Sequence, residues 1–310
     1  MNPANALTID HIIVPLDGSQ LAEVTLEPAI ALASRLRARL TLLHVLERRA
    51  PATVHNERHL TGTADAETYL QGIAARFTAA GIAAEHHTHP NPEDNVAGSI
   101  AAHARELAAS LLILCTHGHG GPRQWFTGSL AQRVIRQAEV PVLLIRPQAG
   151  TPLPFSPQVV LTALDGTAAG ETILPAALTL AGAFDAIFHL VVTVPTLSTV
   201  SGDRAATALL TPSATTATLD IEAEAAATYV ERVASRLRAV DLRMQTEVAR
   251  GDAVRTVVEL AARETPSLLA MATHGRGGFD ALWAASVGSR VIGRASGPLL
   301  LVRPARHRGT

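Results

Sequence analysis

Glycine, serine and histidine set between two apolar runs give the chain its most reactive stretch, Leu111–Pro147, which reads LLILCTHGHGGPRQWFTGSLAQRVIRQAEVPVLLIRP. Leu111–Cys115 has the length and apolarity of a buried strand, and so has Val142–Ile145 after the helix-breaking Pro141. Between them a loop holds Gly118, Gly120 and Gly121. Gly128-Ser129 then opens a segment with Leu130, Val134, Ile135 and Ala138 at helical spacing. A strand, a glycine loop and a helix start form a geometry that binds anions. Unpaired N–H groups point outward there, and the helix dipole adds about half a positive charge. Glycine lets a phosphate approach the backbone closely, and Ser129 can cap the helix or bond a ligand oxygen.

The stretch recurs as Leu268–Pro304, LLAMATHGRGGFDALWAASVGSRVIGRASGPLLLVRP. Ser110 matches Ser267, Thr116-His117-Gly118 matches Thr273-His274-Gly275, and Pro141 matches Pro298, all at an offset of 157. The chain is therefore a tandem duplication. Its halves are expected at residues 1–149 and 155–310, joined by a short, stiff linker at Gln148–Ser156 with two prolines and a glycine.

Composition narrows the chemistry. All 26 basic residues are arginine, which excludes a Walker A phosphate loop and lysine Schiff-base chemistry. Any phosphate must be held by backbone, hydroxyl, imidazole or guanidinium. A formal charge of −1 gives no support for a nucleic-acid or membrane-surface partner. The lone cysteine, Cys115, has no internal disulfide partner, and MNPANALTID has no signal-peptide pattern, so a cytoplasmic, non-membrane protein is expected.

The elements that must position the glycine loops follow in strict alternation. Ile12–Leu16 reads as a strand ending in the turn Asp17-Gly18-Ser19, followed by a helix over Leu21–Leu36, a strand at Leu40–Leu46 and an irregular flap over 47–63. A helix at Ala64–Ala80, a strand at Glu85–His89 and a helix at Val96–Leu107 precede Leu111. The second half repeats the order, with strands at Val159–Ala163, Ile187–Val192 and Met244–Val248. Helices are expected near Leu174–Ala183, Tyr229–Leu237 and Val254–Ala262. Pro195–Thr218, rich in Ser, Thr and Ala, reads as a longer flexible flap. The expected fold class is α/β: two tandem Rossmann-like doubly wound domains, each a five-stranded parallel sheet flanked by helices.

With Val14-Pro15-Leu16-Asp17-Gly18-Ser19, Leu43-His44-Val45 and the duplicated Thr-His-Gly loop in view, the chain resembles a tandem universal stress protein over both halves. Nucleotide-binding members carry Gly, two residues, Gly, nine residues, Gly, Ser/Thr. The first half gives Cys115, Gly118, Gly128 and Ser129 at those places, with one glycine replaced. The second gives Ala272, Gly275, Ala285 and Ser286, with two replaced. The resemblance implies ATP, with or without Mg²⁺, over the carboxyl ends of strands one and four. It implies Asp17 facing the adenosine, Pro15 and Val45 lining adenine, Cys115 at a strand end beside the nucleotide, and His117, Gly118, His119, Gly128, Ser129 and Leu130 around the phosphates. Ala163, Asp165, Ala272, Gly275, Arg276, Ser286 and Val287 take the corresponding places in the second half, which is expected to be the weaker site. The last strands of the two halves resemble the edges through which single-domain members dimerise. An intramolecular pseudo-dimer is implied, with further homodimerisation open.

Plainer roles compete at several of these positions. Asp17 and Asp165 suit a turn as well as a ligand. His86, His87 and His89 suggest a metal, but only His87 and His89 share a strand face, and a solvated edge is the favoured reading. Cys115 reads as inert packing rather than a redox sensor, and Trp125 and Trp283 as packing beside the last helices. Three functions are thus in play: an ATP-binding regulatory protein, a slow ATPase on the same site, and a ligand-free scaffold for protein contacts.

Overall fold

A computed structural model describes residues 6–50, 53–54, 57–58, 60–116, 129–147, 154–237, 241–273 and 287–304. The chain divides into two compact units, one spanning Thr8–Ser156 and the other built on Pro157–Pro304. Leu7 belongs with the second: its N–H donates to the Pro175 carbonyl, and its own carbonyl accepts from the Thr179 hydroxyl. Among the described residues no helix is long and apolar enough to cross a membrane.

In the first unit the main strands are β1 (His11–Pro15), β2 (Arg39–Glu47), β5 (Ala84–Glu93), β6 (Leu111–Cys115) and β7 (Val142–Ile145), all parallel, in the order β7-β6-β1-β2-β5. A two-residue antiparallel pair, β3 (Thr53–Val54) and β4 (Glu57–Arg58), lies within the 47–63 segment expected to be irregular. Helices α1 (Leu26–Leu36), α2 (Thr63–Ala79), α3 (Val96–Glu106) and α4 (Ser129–Gln137) make the connections. Every residue of β6 and β7 is buried, as a central strand covered on both faces must be.

The expected helix from Leu21 is instead a 3₁₀ turn, Ala22–Thr25, running into α1. Pro28 explains the break. It has no N–H to donate to Val24, so a continuous α-helix through this point loses a bond. Pro175 does the same in the second unit, where a 3₁₀ turn at Gly170–Ile173 precedes α5 (Leu174–Phe184).

The second unit's strands are β8 (Val159–Leu164), β9 (Ile187–Val194), β10 (Met244–Arg250), β11 (Ser267–Ala272) and β12 (Leu299–Val302), parallel and in the matching order β12-β11-β8-β9-β10. Between β9 and β10 the expected flap over Pro195–Thr218 is corrected. It carries α6 (Asp203–Leu210) and the start of a 26-residue helix, α7 (Pro212–Leu237). Alanine is the strongest helix former, and Pro212 sits at the first helical position, where its missing N–H costs nothing. Thr218 and Thr228 donate their hydroxyls to the carbonyls four residues back, so they need no partner elsewhere. The helix is anchored: Leu219 is buried, and the Arg250 guanidinium reaches the Leu219 carbonyl at 2.9 Å and Asp220 at 3.1 Å. Helices α8 (Ala253–Arg263) and α9 (Val287–Arg294) complete the unit. Gly288 and Ser289 fall inside α9.

Candidate functional site

In each unit the strand order reverses at the first strand, so β1 lies between β2 and β6, and β8 between β9 and β11. Connections from the two strands at such a switch point leave in opposite directions. That opens a crevice beyond their carboxyl ends, where open parallel sheets bind ligands.

The first wall of the crevice is the Asp17 turn. The N–H and O–H of Ser19 both donate to Asp17 Oδ1, at 2.9 and 2.6 Å, and Ser19 Oγ accepts the Ala22 N–H at 3.1 Å. Asp165 repeats this. Its Oδ1 accepts from the Thr167 N–H at 3.0 Å and O–H at 2.7 Å, and Thr167 Oγ1 accepts the Gly170 N–H at 3.0 Å. One carboxylate oxygen of each aspartate therefore holds the turn and orders the backbone that enters the 3₁₀ segment.

Gly18 in this turn has φ of +89°, and an added Cβ would lie 2.6 Å from Leu60 Cγ. Gly166 has φ of +81° and open space around it. Gly166→Ala is expected to cost about 1–2 kcal/mol from the left-handed backbone alone. Gly18→Ala should cost clearly more, because Leu60 must also move. Thermal melts of the two variants check the order, and equal losses would remove Leu60 from the account.

The second wall is the end of β6. The Cys115 thiol donates to the Leu21 carbonyl at 3.1 Å, so it pins the 3₁₀ segment to the fourth core strand. Burial, and then the nearby Asp17 carboxylate, push this thiol up to about 12, so it stays protonated and unreactive at neutral pH. The Thr116 N–H continues the sheet onto the Ile145 carbonyl at 2.9 Å, as the Thr273 N–H does onto Val302 at 2.8 Å. His44, buried near the end of β2, donates from Nδ1 to the Leu16 carbonyl at 2.7 Å and so fixes the lead-in to Asp17.

Of the predicted site residues, Pro15, Asp17, Val45 and Cys115 are brought to the carboxyl ends of β1, β2 and β6. Ser129 and Leu130 begin α4, which follows β6 in the chain. In the second unit Ala163, Asp165 and Ala272 stand at the ends of β8 and β11, and Val287 opens α9. His117, Gly118, His119, Gly128, Gly275, Arg276 and Ser286 lie outside the described residues, as do Trp125 and Trp283.

A further constellation was not singled out from the sequence. The Tyr69 hydroxyl donates to Glu23 Oε1 at 3.2 Å, and Arg76 reaches the same carboxylate at 3.5 Å. Glu171 pairs likewise with Arg236 and lies against Tyr229. Burial, then the glutamate, raises both phenols above their ordinary range. These are the chain's two tyrosines, both at an offset of 160 with their arginines, and that recurrence was the available signal. Each set ties the long helix, α2 or α7, to the 3₁₀ segment behind the aspartate turn.

A family model described as the universal stress protein family matches this chain twice, over residues 8–146 and 157–303. A putative universal stress protein from Staphylococcus aureus (strain USA300) is 28% identical over 167 residues, covering 51% of this chain and 96% of that protein. The crystal structure of a universal stress protein from Archaeoglobus fulgidus DSM 4304 superposes with a TM-score of 0.69 at 15% identity, covering 97% of this chain and 98% of that one. A putative universal stress protein from Pseudomonas aeruginosa UCBPP-PA14 gives 0.67 at 17% identity, covering 98% and 95%. At these identities the two structures speak to the fold alone.

Proposed function

Because the chain belongs to the universal stress protein family, we propose that it is an ATP-binding regulatory protein whose better site is the crevice of the first domain. The observation that carries this reading is the switch point itself. A rigid aspartate turn and a strand leading into a glycine-rich segment stand on either side of it in both repeats. Backbone N–H groups of Gly118, Gly128 and Ser129 would take the phosphates, with His117 and His119 beside them and Leu130 below. Pro15 and Val45 would take the base, and Asp17 the ribose side. In the second domain Gly275, Arg276, Ser286 and Val287 would face the phosphates and Ala163, Asp165 and Ala272 the nucleoside, with Ala285 weakening the cradle. Asp17 Oδ1 already holds Ser19, which supports a positioning role for this carboxylate over that of a catalytic base.

The test is to purify the protein natively, denature it and identify released small molecules by mass spectrometry. About one equivalent of adenine nucleotide per chain is the expected result. No release, together with no heat on titration with ATP and Mg²⁺, would sink the reading in favour of a scaffold.

A further inference from the structure

Sheet register brings an arginine to the mouth of the crevice in each repeat. Leu112 pairs with Val142 and donates its N–H to the Pro141 carbonyl, one residue back. Thr116 donates in the same way to the Ile145 carbonyl at 2.9 Å, so the ladder sets Arg146 opposite Thr116. Thr116 is the residue from which β6 enters the glycine-rich segment. In the second unit the Thr273 N–H reaches the Val302 carbonyl at 2.8 Å, which sets Arg303 opposite Thr273. The two arginines keep the common offset of 157.

Neighbours paired across a parallel sheet share a face, and successive residues alternate. Cys115, paired with Ile145, turns its thiol toward the Leu21 carbonyl and the 3₁₀ segment. Thr116 and Arg146 therefore belong to the opposite face. Counted through the pairs Ile13–Leu112 and Pro15–Leu43, that face also carries Pro15 and Val45, the residues proposed to take the base.

We propose that Arg146 in the first domain and Arg303 in the second bind the phosphates of the nucleotide, and so select a charged nucleotide over its nucleoside. The inference rests on the nucleotide reading above and assigns the side-chain cation of that site. With all 26 basic residues arginine, such a cation can only be a guanidinium or an imidazolium. Arg146 and Arg303 are both partly buried. Burial lowers the pKa of Arg146, yet a guanidinium keeps its charge at any working pH. A cation already partly stripped of water gains more from an arriving anion than a fully solvated one does. Its planar fork matches two phosphate oxygens, and its five N–H donors let it hold a protein neighbour and a phosphate together. The repeats have diverged at the glycine positions, with Cys115, Ala272 and Ala285, while the arginine stands at the same place in both.

The experiment is titration calorimetry of the full chain with ATP, at low and raised salt, and with adenosine. Arg146→Gln should weaken ATP at the tighter site about 10–100-fold and flatten its salt dependence. Adenosine should bind as it does to the wild type. Arg146→Lys keeps the charge without the fork and should recover part of the loss. If Arg146→Gln melts early, the same comparison of ATP with adenosine on Arg146→Lys carries the test. Arg303→Gln should act on the second site alone. Equal weakening of ATP and adenosine would make Arg146 a support of the fold and overturn the proposal. So would ATP binding that is unchanged in Arg146→Gln. A wild-type chain that binds no ATP defeats the nucleotide reading itself, and this assignment with it.

Discussion

Gly128→Asp is expected to remove nucleotide from the first domain while leaving the fold intact. Gly128 immediately precedes α4 in the chain, and the proposed phosphates sit at the N-terminus of that helix. A carboxylate there meets the ligand with like charge. It also offers the unpaired N–H groups an internal acceptor in place of the phosphate. Like-charge juxtaposition costs several kcal/mol, and about 3 kcal/mol corresponds to roughly 100-fold in affinity. The aspartate should not harm folding, because an acidic residue at a helix start is favourable. Titration calorimetry with ATP and Mg²⁺ reads the effect. Any heat that survives belongs to the second domain, and Ala285→Gly should strengthen it if that position requires glycine's conformational freedom. Unchanged binding in Gly128→Asp, with a single site occupied, would show the ligand to be elsewhere.

How well each part could be read from sequence follows from what holds it. β6 and β7 were expected with the limits found, because a strand buried on both faces must be apolar throughout and its ends are marked by polar or glycine residues. β5 runs to Glu93, four residues beyond the expected end. Its sequence AEHHTHPNPE carries little hydrophobic signal, and the strand is held by backbone pairing to β2, which only the tertiary structure supplies. The 195–218 segment was misread because Ser and Thr suggest loops when counted. Placed in a helix, Thr218 turns its hydroxyl to the carbonyl of Ala214 and stops competing. The aspartate turns were legible as Asp-Gly-Ser and Asp-Gly-Thr, since an Asx turn is local chemistry. The Glu23–Tyr69–Arg76 set was not, because its members come from two elements and lack any spacing rule. The contact of His103 in α3 with His87 and His89 of β5 was hidden for the same reason: the strand face was readable, but the helix laid against it was not.

The largest stability loss is expected from His189→Ala in the second domain. His189 is 4% exposed, with Nδ1 2.9 Å from Glu264 Oε1 and Nε2 3.4 Å from Glu247 Oε2. It thus joins β9 to β10 and to the end of α8. The first domain closes the corresponding joint differently. Position 41 there is a threonine, and His11 from β1 supplies the ring, bonding Thr41 at 2.8 Å and the Leu107 carbonyl at 2.9 Å. Leu107 is the counterpart of Glu264 at an offset of 157. Truncating His11 strands only neutral groups, a loss of about 1–3 kcal/mol. Truncating His189 instead leaves two carboxylates facing the space of the lost ring, and the cation recorded beside them among the described residues is Arg263, 4.0 Å from Glu247. Leaving a partly buried carboxylate without its hydrogen-bond partner costs more than stranding a neutral group, and because Glu247 is partly solvated the loss is expected near the upper end of about 1–3 kcal/mol. Hydrogen exchange on the full chain separates the two variants: His189→Ala should release protection across β9 and β10, and His11→Ala across β1 and β2. Adding Glu264→Leu to His189→Ala removes the stranded carboxylate and should recover part of the loss. If the double variant is no more stable than the single one, the missing volume of the ring, and not the unpaired charge, sets the cost.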